Sequence, residues 1–390
     1  MPWKVSTLMD ERIKLVARGT AADANISALC REFGISRPTA YRWLKRYDDT
    51  KSLTDLRDQS RRPHHSPLET AVENTARVVS LRQQYGWGGK KLQVLLQAEG
   101  ITLSLATINR IIARQGLVLA KNSHAPATQR FARATPNELW QMDFKGQVPM
   151  ASGHCYPLTL LDDHSRFVVG LFALTGTTTE LVWPCLEGTF RTYGLPAAML
   201  TDHGQPWYDM SNGYGLTTLA VRLIKQGIDL IHSRIAHPQT QGKIERFHRT
   251  LKDEMYRQPV WPADLAAWAA LFVQFRQAYN TVRPHEALAM QTPAACYRTS
   301  SRSYVEQPAA WVYPPHVLVR TVDRLGMVSY EGHRYFVCEA LLGESVGLEP
   351  IGQSLLVHYR QMYVRDINLA TKRSAPLVWP VRQTRHPVAN

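Results

Sequence analysis

Cysteine is scarce in this sequence and unpatterned. Five cysteines in 390 residues, at positions 30, 155, 185, 296 and 338, include no close pair and no CxxC. That spacing fits neither a disulfide framework nor a zinc finger, and it suits a reducing, cytoplasmic compartment. No apolar run approaches the roughly 18 residues that a membrane-spanning helix needs. The charged start MPWKVSTLMDERIK also lacks the hydrophobic region of a signal peptide, so no membrane partner is expected. Acidic residues are in deficit: 32 Asp and Glu face 46 Lys and Arg, for a formal charge of +14. In a chain of several domains, that excess points to a polyanionic partner. No serine or cysteine sits in a nucleophile constellation. What the chain does have is 44% hydrophobic residues, enough for ordinary cores, and length for about two to four domains.

Three carboxylates in its middle stand out. Asp143 closes the short apolar run of NELWQMDF, although Asp is depleted in strands and its presence there asks for a reason. Asp202 follows the apolar run from Ala197 to Leu200 and precedes His203 and Gly204, so it sits at a strand exit, where α/β sheets place their ligands. Glu245 opens IERFHRTLKDEM, whose Ile244, Phe247, Leu251 and Met255 recur at helical spacing. The same helix sets Glu245, Arg249 and Lys252 on one neighbouring face, an acid flanked by cations that suit a nucleic-acid backbone. Lys243 and Arg246, on either side of the acid, are expected DNA contacts. Asp143 and Asp202 lie 59 residues apart, and Asp202 and Glu245 a further 43, so only the fold can bring them together. Three such acids suit two hard divalent ions, Mg²⁺ or Mn²⁺, that cut a phosphodiester by activating the attacking oxygen and steadying the leaving one. Asp162 and Asp163 fall beside a strand turn, where Asp is an ordinary turn former.

The motifs WQMDF around Asp143, LLDDHSR at 160–166, TDHGQPW at 201–207, HPQTQGKIERFHRTLK at 237–252 and YNTVRPHEAL at 279–288 cover the middle half of the chain. Together they closely resemble the DDE transposases of bacterial insertion sequences and, more distantly, retroviral integrases. The resemblance places the family's catalytic and metal-binding Asp, Asp and Glu on Asp143, Asp202 and Glu245. It implies an RNase H-like catalytic core with a mixed sheet over residues 136–297, two metal ions per site, cleavage at the terminal inverted repeats of an element, and joining of those ends to a target DNA. A homo-oligomer assembled on double-stranded DNA follows, because two ends must be joined, and so does a place at the bacterial nucleoid. The sequence departs from the family in having His203 where Asn is common, and in a longer interval before Glu245, with YDMSNGYGL as the insertion. A transposase-derived DNA-binding regulator that no longer cuts is the alternative.

Around the core, the sequence reads as a multidomain α+β chain. Residues 1–49 form a helix-turn-helix domain, with Ser36 capping its second helix and Pro38 in the first turn. That helix would present Arg37, Thr39, Tyr41, Arg42 and Lys45 to the major groove. A basic linker, 50–67, carries Arg61 and Arg62 as phosphate contacts. A second helix-turn-helix domain, 68–118, has Ser104 as the cap of its last helix and Thr107, Asn109 and Arg110 as recognition candidates. Another linker, 119–135, precedes the core. The YNTVRPHEAL segment is expected to pack and to position DNA ends. Residues 312–368 alternate apolar positions between glycine turns, which predicts a small SH3-like β-barrel, and 369–390 reads as a flexible tail.

Overall fold

A computed structural model of the chain describes residues 7–59, 69–118, 132–209, 215–232 and 242–380. The chain divides into two compact units, residues 1–72 and 73–390. Among the described residues, no helix is long and apolar enough to cross a membrane.

The first unit is built from α1 (Leu8–Gly19), α2 (Ile26–Glu32) and α3 (Arg37–Thr50). Each has a side-chain cap that satisfies an otherwise unpaired N–H: Thr7 for α1, Asn25 for α2 and Ser36 for α3. The turn between α2 and α3 runs through Gly34 at φ +65°, the left-handed region that glycine adopts without penalty. Leu15, Val16, Leu29, Cys30, Ala40, Trp43 and Leu56 form its core.

In the second unit, α4 (Val72–Tyr85), α5 (Gly89–Ala98) and α6 (Leu105–Arg114) close over Val78, Leu81, Leu92, Leu96, Ile108, Ile111 and Ile112. Arg82 is buried beneath them and donates to the carbonyls of Gly86, Trp87 and Leu117, which ties both ends of the helical unit together.

A mixed sheet follows, made of β1 (Leu139–Phe144), β2 (Val148–Pro149), β3 (His154–Asp162), β4 (Val168–Leu174), β5 (Ala198–Thr201) and β6 (Asp229–His232). β3 runs antiparallel to β1, β2 and β4, while β1, β5 and β6 run parallel. Helices α7 (Thr179–Tyr193), α8 (Thr218–Lys225), α9 (Gly242–Arg257) and α10 (Leu265–Thr281) complete the layers. Strand alternation sorts the residues by face. Trp140, Met142, Leu158 and Leu160 share a core with α7 and α8, whereas Leu161, Val168 and Leu171 pack against Phe247, Leu251, Trp268 and Phe272 of α9 and α10.

The C-terminal strands correct the expected barrel. They are β7 (Leu318–Thr321), β8 (Met327–Tyr330), β9 (His333–Phe336), β10 (Ser345–Ile351), β11 (Ser354–Tyr359), β12 (Met362–Asn368) and β13 (Ser374–Pro380). Five of them form an open antiparallel sheet in the order β13-β12-β11-β10-β7, and β8 and β9 form a hairpin apart. A barrel closes so that its first and last strands hide each other's edges. Here β13 carries Pro376 and Pro380, which cannot donate to a ladder and so belong on an edge. The sheet has no need to close on itself: Val346, Leu348, Leu355, Val357, Tyr359 and Met362 join the same core as Trp140, Leu219 and Ile224. Polar ties fix the docking, with Arg360 donating to Lys225 O, Gln361 to Ile224 O and Ile228 O, and Lys225 paired with Glu344 at 2.5 Å. The predicted tail is also corrected, because residues 374–380 are the strand β13, hydrogen-bonded to β12.

Candidate active site

The first two acids meet through sheet register. β1 and β5 run parallel with Leu139 opposite Ala198, Trp140 opposite Met199 and Gln141 opposite Leu200, a constant offset of 59. That offset equals the separation of Asp143 and Asp202, so the two stand level at the carboxyl ends of adjacent parallel strands. Alternation puts them on one face too: Leu139, Gln141 and Asp143 share a side of β1, and Ala198, Leu200 and then Asp202 continue the matching side of β5. Asp202 turns its Oδ1 onto the N–H of Gly204 at 2.9 Å. A Cβ on Gly204 would come within 3.2 Å of that carboxylate and press on it.

The third acid arrives on a helix anchored to β1. Gln141, fully buried on the same face as Asp143, accepts the N–H of Ile244 through Oε1 at 3.2 Å. This bond holds the first turn of α9, and with it the exposed Glu245, over the strand. The other end of Gln141 donates to Asp163 Oδ1 at 2.9 Å, and Asp163 pairs with Lys243 Nζ at 2.5 Å and accepts the N–H of Arg133. Asp162 accepts from Asn137 N, Ser165 N and Ser165 Oγ. Both acids have zero exposure, so the pair at 162–163 is a buried hydrogen-bonding hub and not an ordinary surface turn. Periodicity could not show this; the one signal was two adjacent acids at the end of an apolar strand.

Electrostatics reports how close the three acids come. Burial, first, and then the negative charge of Asp202 and, more weakly, of Glu245 push the Asp143 carboxyl up to about 7. Among the described residues, no three His, Cys, Asp or Glu side chains surround one point as metal ligands, so the acids are neighbours and not a finished cage. His248, one turn beyond Glu245, stands 3.8 Å from Asp143 Oδ2. Desolvation holds its imidazole down at about 3, so this contact is no ion pair at neutral pH. The Thr159 hydroxyl donates to Asp143 O at 2.8 Å and lies 2.8 Å from His248 Nε2. Having spent its one hydrogen, that hydroxyl must accept from Nε2–H, which leaves the His248 Nδ1 lone pair facing Asp143. Beside Asp202, half-buried His232 is pushed down to about 4 by desolvation.

The expected DNA contacts divide into three groups. Arg37, Tyr41, Arg42 and Lys45 are exposed on α3, as are Asn109 and Arg110 on α6 and Arg246, Arg249 and Lys252 on α9. Thr39 and Thr107 are half-buried and contact the capping hydroxyls of Ser36 and Ser104 at 2.9 Å. Lys243 differs most from expectation, since its pairing with Asp163 makes it an internal tie between α9 and the β3–β4 turn. Arg61 and Arg62 lie outside the described residues.

The carboxylates at the ends of parallel strands, and the third on a following helix, all fall within the stretch that integrase family models match. Residues 133–238 and 226–293 match the integrase core domain, residues 11–64 a helix-turn-helix domain, and residues 39–112 a homeodomain-like domain. The uncharacterized 31.7 kDa protein of insertion element IS407 from Burkholderia multivorans is 26% identical over 60% of this chain and 84% of its own length. The transposase of insertion sequence element IS904 from Lactococcus lactis is 24% identical over 59% of this chain and 81% of its own. The HTLV-2 integrase catalytic core domain aligns over 42% of this chain and 97% of its own, with 14% identity and a TM-score of 0.33. The chain joins helix-turn-helix domains to an integrase core domain and is similar to the transposases of insertion sequences, which is the make-up of a DNA-binding polynucleotidyl transferase.

Proposed function

We propose that Asp143, Asp202 and Glu245 form the catalytic site, that they hold two Mg²⁺ or Mn²⁺ ions, and that the chain cuts DNA at the ends of its element and joins those ends to a target. The observation that carries this reading is the shared offset of 59 between the β1–β5 register and the two aspartates, with Gln141 fastening the start of α9 to the same face of β1. The donors fit the ions: they are hard carboxylate oxygens, and Mg²⁺ keeps several waters and takes only one or two carboxylates from a protein. A half-buried Asp143 whose carboxyl is pushed up to about 7, first by burial and then by the neighbouring acids, is a site that a cation would complete. When bound, such ions supply activation of the attacking oxygen and stabilisation of the leaving one.

The chain's own residues do the rest. Thr159, itself held by neutral His248, fixes the backbone carbonyl of Asp143, Gln141 fastens α9 to β1, the Gly204 N–H orients Asp202, and Arg249 and Lys252 extend from Glu245 along α9 as phosphate contacts. Exposed Arg37, Arg42 and Lys45 on α3, and Asn109 and Arg110 on α6, read the terminal repeats, and a homo-oligomer gathers two ends. The reading that the chain only regulates is weaker, because the three acids are present and brought to neighbouring points. The test is cleavage and strand transfer by the full chain on a duplex carrying the DNA that borders its gene. Activity should need Mg²⁺ or Mn²⁺ and fall to background in Asp143→Asn, Asp202→Asn and Glu245→Gln, while DNA binding persists. Full activity in any of the three would remove that residue from the site.

A further inference from the structure

A second cluster of charge lies beside the acids, and it has the opposite sign. Tyr279, buried on α10, is its hub: Phe247 packs edge-on against its ring at 5.1 Å, the Arg283 guanidinium lies 5.7 Å from the ring centre, and His285 stands 6.4 Å away. Arg283 is also stacked 5.5 Å over Trp87 of the second helical unit, whose Lys91 reaches Glu286 at 3.9 Å. Arg166, at φ +62° in the β3–β4 turn, and Arg246, next in sequence to Glu245, complete the ring of cations, within electrostatic range of Tyr279 and His285. Three guanidinium groups and the Lys91 ammonium thus converge from the β3–β4 turn, α9, the segment after α10 and α5.

The acids nearby do not balance them. Asp163 and Asp162 act on Arg166, but Asp163 is also taken by Lys243, Gln141 and Arg133, and Asp162 by Asn137 and Ser165; Arg257 is paired with Glu254, and Glu286 and Asp253 are left. Among the described residues, the buried Arg283 Nε and His285 Nδ1 have no hydrogen-bond partner. A buried donor without a partner costs about 1–3 kcal/mol, and crowding like charges adds to that cost. An arrangement that pays both is explained if its partner arrives with the ligand.

We propose that Lys91, Arg166, Arg246, Arg283 and His285 form a seat for a backbone phosphate of DNA, shared by the second helical unit and the catalytic core. Guanidinium forks and an ammonium suit a phosphodiester oxygen. Because Arg246 adjoins Glu245 and Lys91 belongs to α5, one phosphate held here sets the distance between the DNA read by the helical unit and the carboxylates. The proposal rests on the DNA-processing reading above, but its test does not need catalysis.

The test is binding by the full chain, in chelator, to a duplex carrying the DNA that borders the gene, followed across a salt titration. Arg283→Gln and Lys91→Gln should each weaken binding roughly tenfold, the loss of a charged hydrogen bond, and lower the log–log salt slope by about one. A single methylphosphonate, stepped along the duplex, should weaken wild-type binding at one position to which both variants are indifferent. Should Arg283→Gln misfold for loss of its stacking on Trp87, Lys91→Gln with an unchanged melting temperature decides. Variants that melt earlier yet keep wild-type affinity, slope and methylphosphonate profile would make the cluster internal scaffolding and overturn the proposal. Since the readout is binding without metal, a chain that fails to cut DNA could still satisfy it, and a chain that cuts could still refute it.

Discussion

Asp143 is the residue whose surroundings conflict most with its chemistry. Its folded-state carboxyl is pushed up to about 7 by burial and by Asp202 and Glu245, whereas an exposed or unfolded Asp titrates near 3.8. The sign follows from proton counting. Between those values the folded chain holds a proton that the unfolded chain has lost, so stability falls as pH rises through the window and levels off above about 7. At about 1.4 kcal/mol per unit, the metal-free fold loses on the order of 4 kcal/mol. In chelator, the melting temperature of Asp143→Asn should therefore pull ahead of wild type between pH 4 and 7, with a constant gap above; parallel curves would contradict the raised Asp143 carboxyl. The sequence showed which acids to examine, because an Asp in an apolar strand and a Glu opening an amphipathic helix are anomalies that propensity detects. It could not show that Asp162 and Asp163 are buried and fully bonded, since the partners Asn137, Gln141 and Lys243 are remote in sequence.

At the scale of elements, the β1–α9 junction carries the arrangement. Gln141 sits with 1% exposure, holding Asp163 with one end of its amide and the Ile244 N–H with the other. Gln141→Leu keeps the apolar volume and removes both bonds, at about 1–3 kcal/mol for each buried group left unpaired. Thermal unfolding should register that loss, and strand transfer should fall further than the melting temperature explains, because Glu245 loses its anchor. Activity that simply tracks the folded fraction would show that Gln141 does not position Glu245. The amphipathic pattern of α9 was readable in the sequence, but its attachment to β1 was not, because Gln141 in a strand looks like any polar residue on an exposed face.

At the scale of the molecule, the C-terminal sheet is part of the core's own packing. Val346, Leu355, Val357 and Met362 share one cluster with Leu219, Leu223 and Ile224 of α8. Alternation in the sequence told which face of these strands is apolar but not what covers it, so a self-closing barrel and a docked open sheet looked alike. A chain ending at residue 311 should be insoluble or molten, whereas residues 7–59, with a core of their own around Trp43, should fold alone. Cooperative melting of the shortened chain at the full chain's temperature would refute the shared core. The central claim, that three acids far apart in sequence hold divalent ions together, is tested most directly by anomalous diffraction from crystals soaked in Mn²⁺. The account predicts two peaks about 3.5–4 Å apart, at least one touching both Asp143 and Asp202 and one touching Glu245. Manganese bound elsewhere, or none against Asp143, would contradict it.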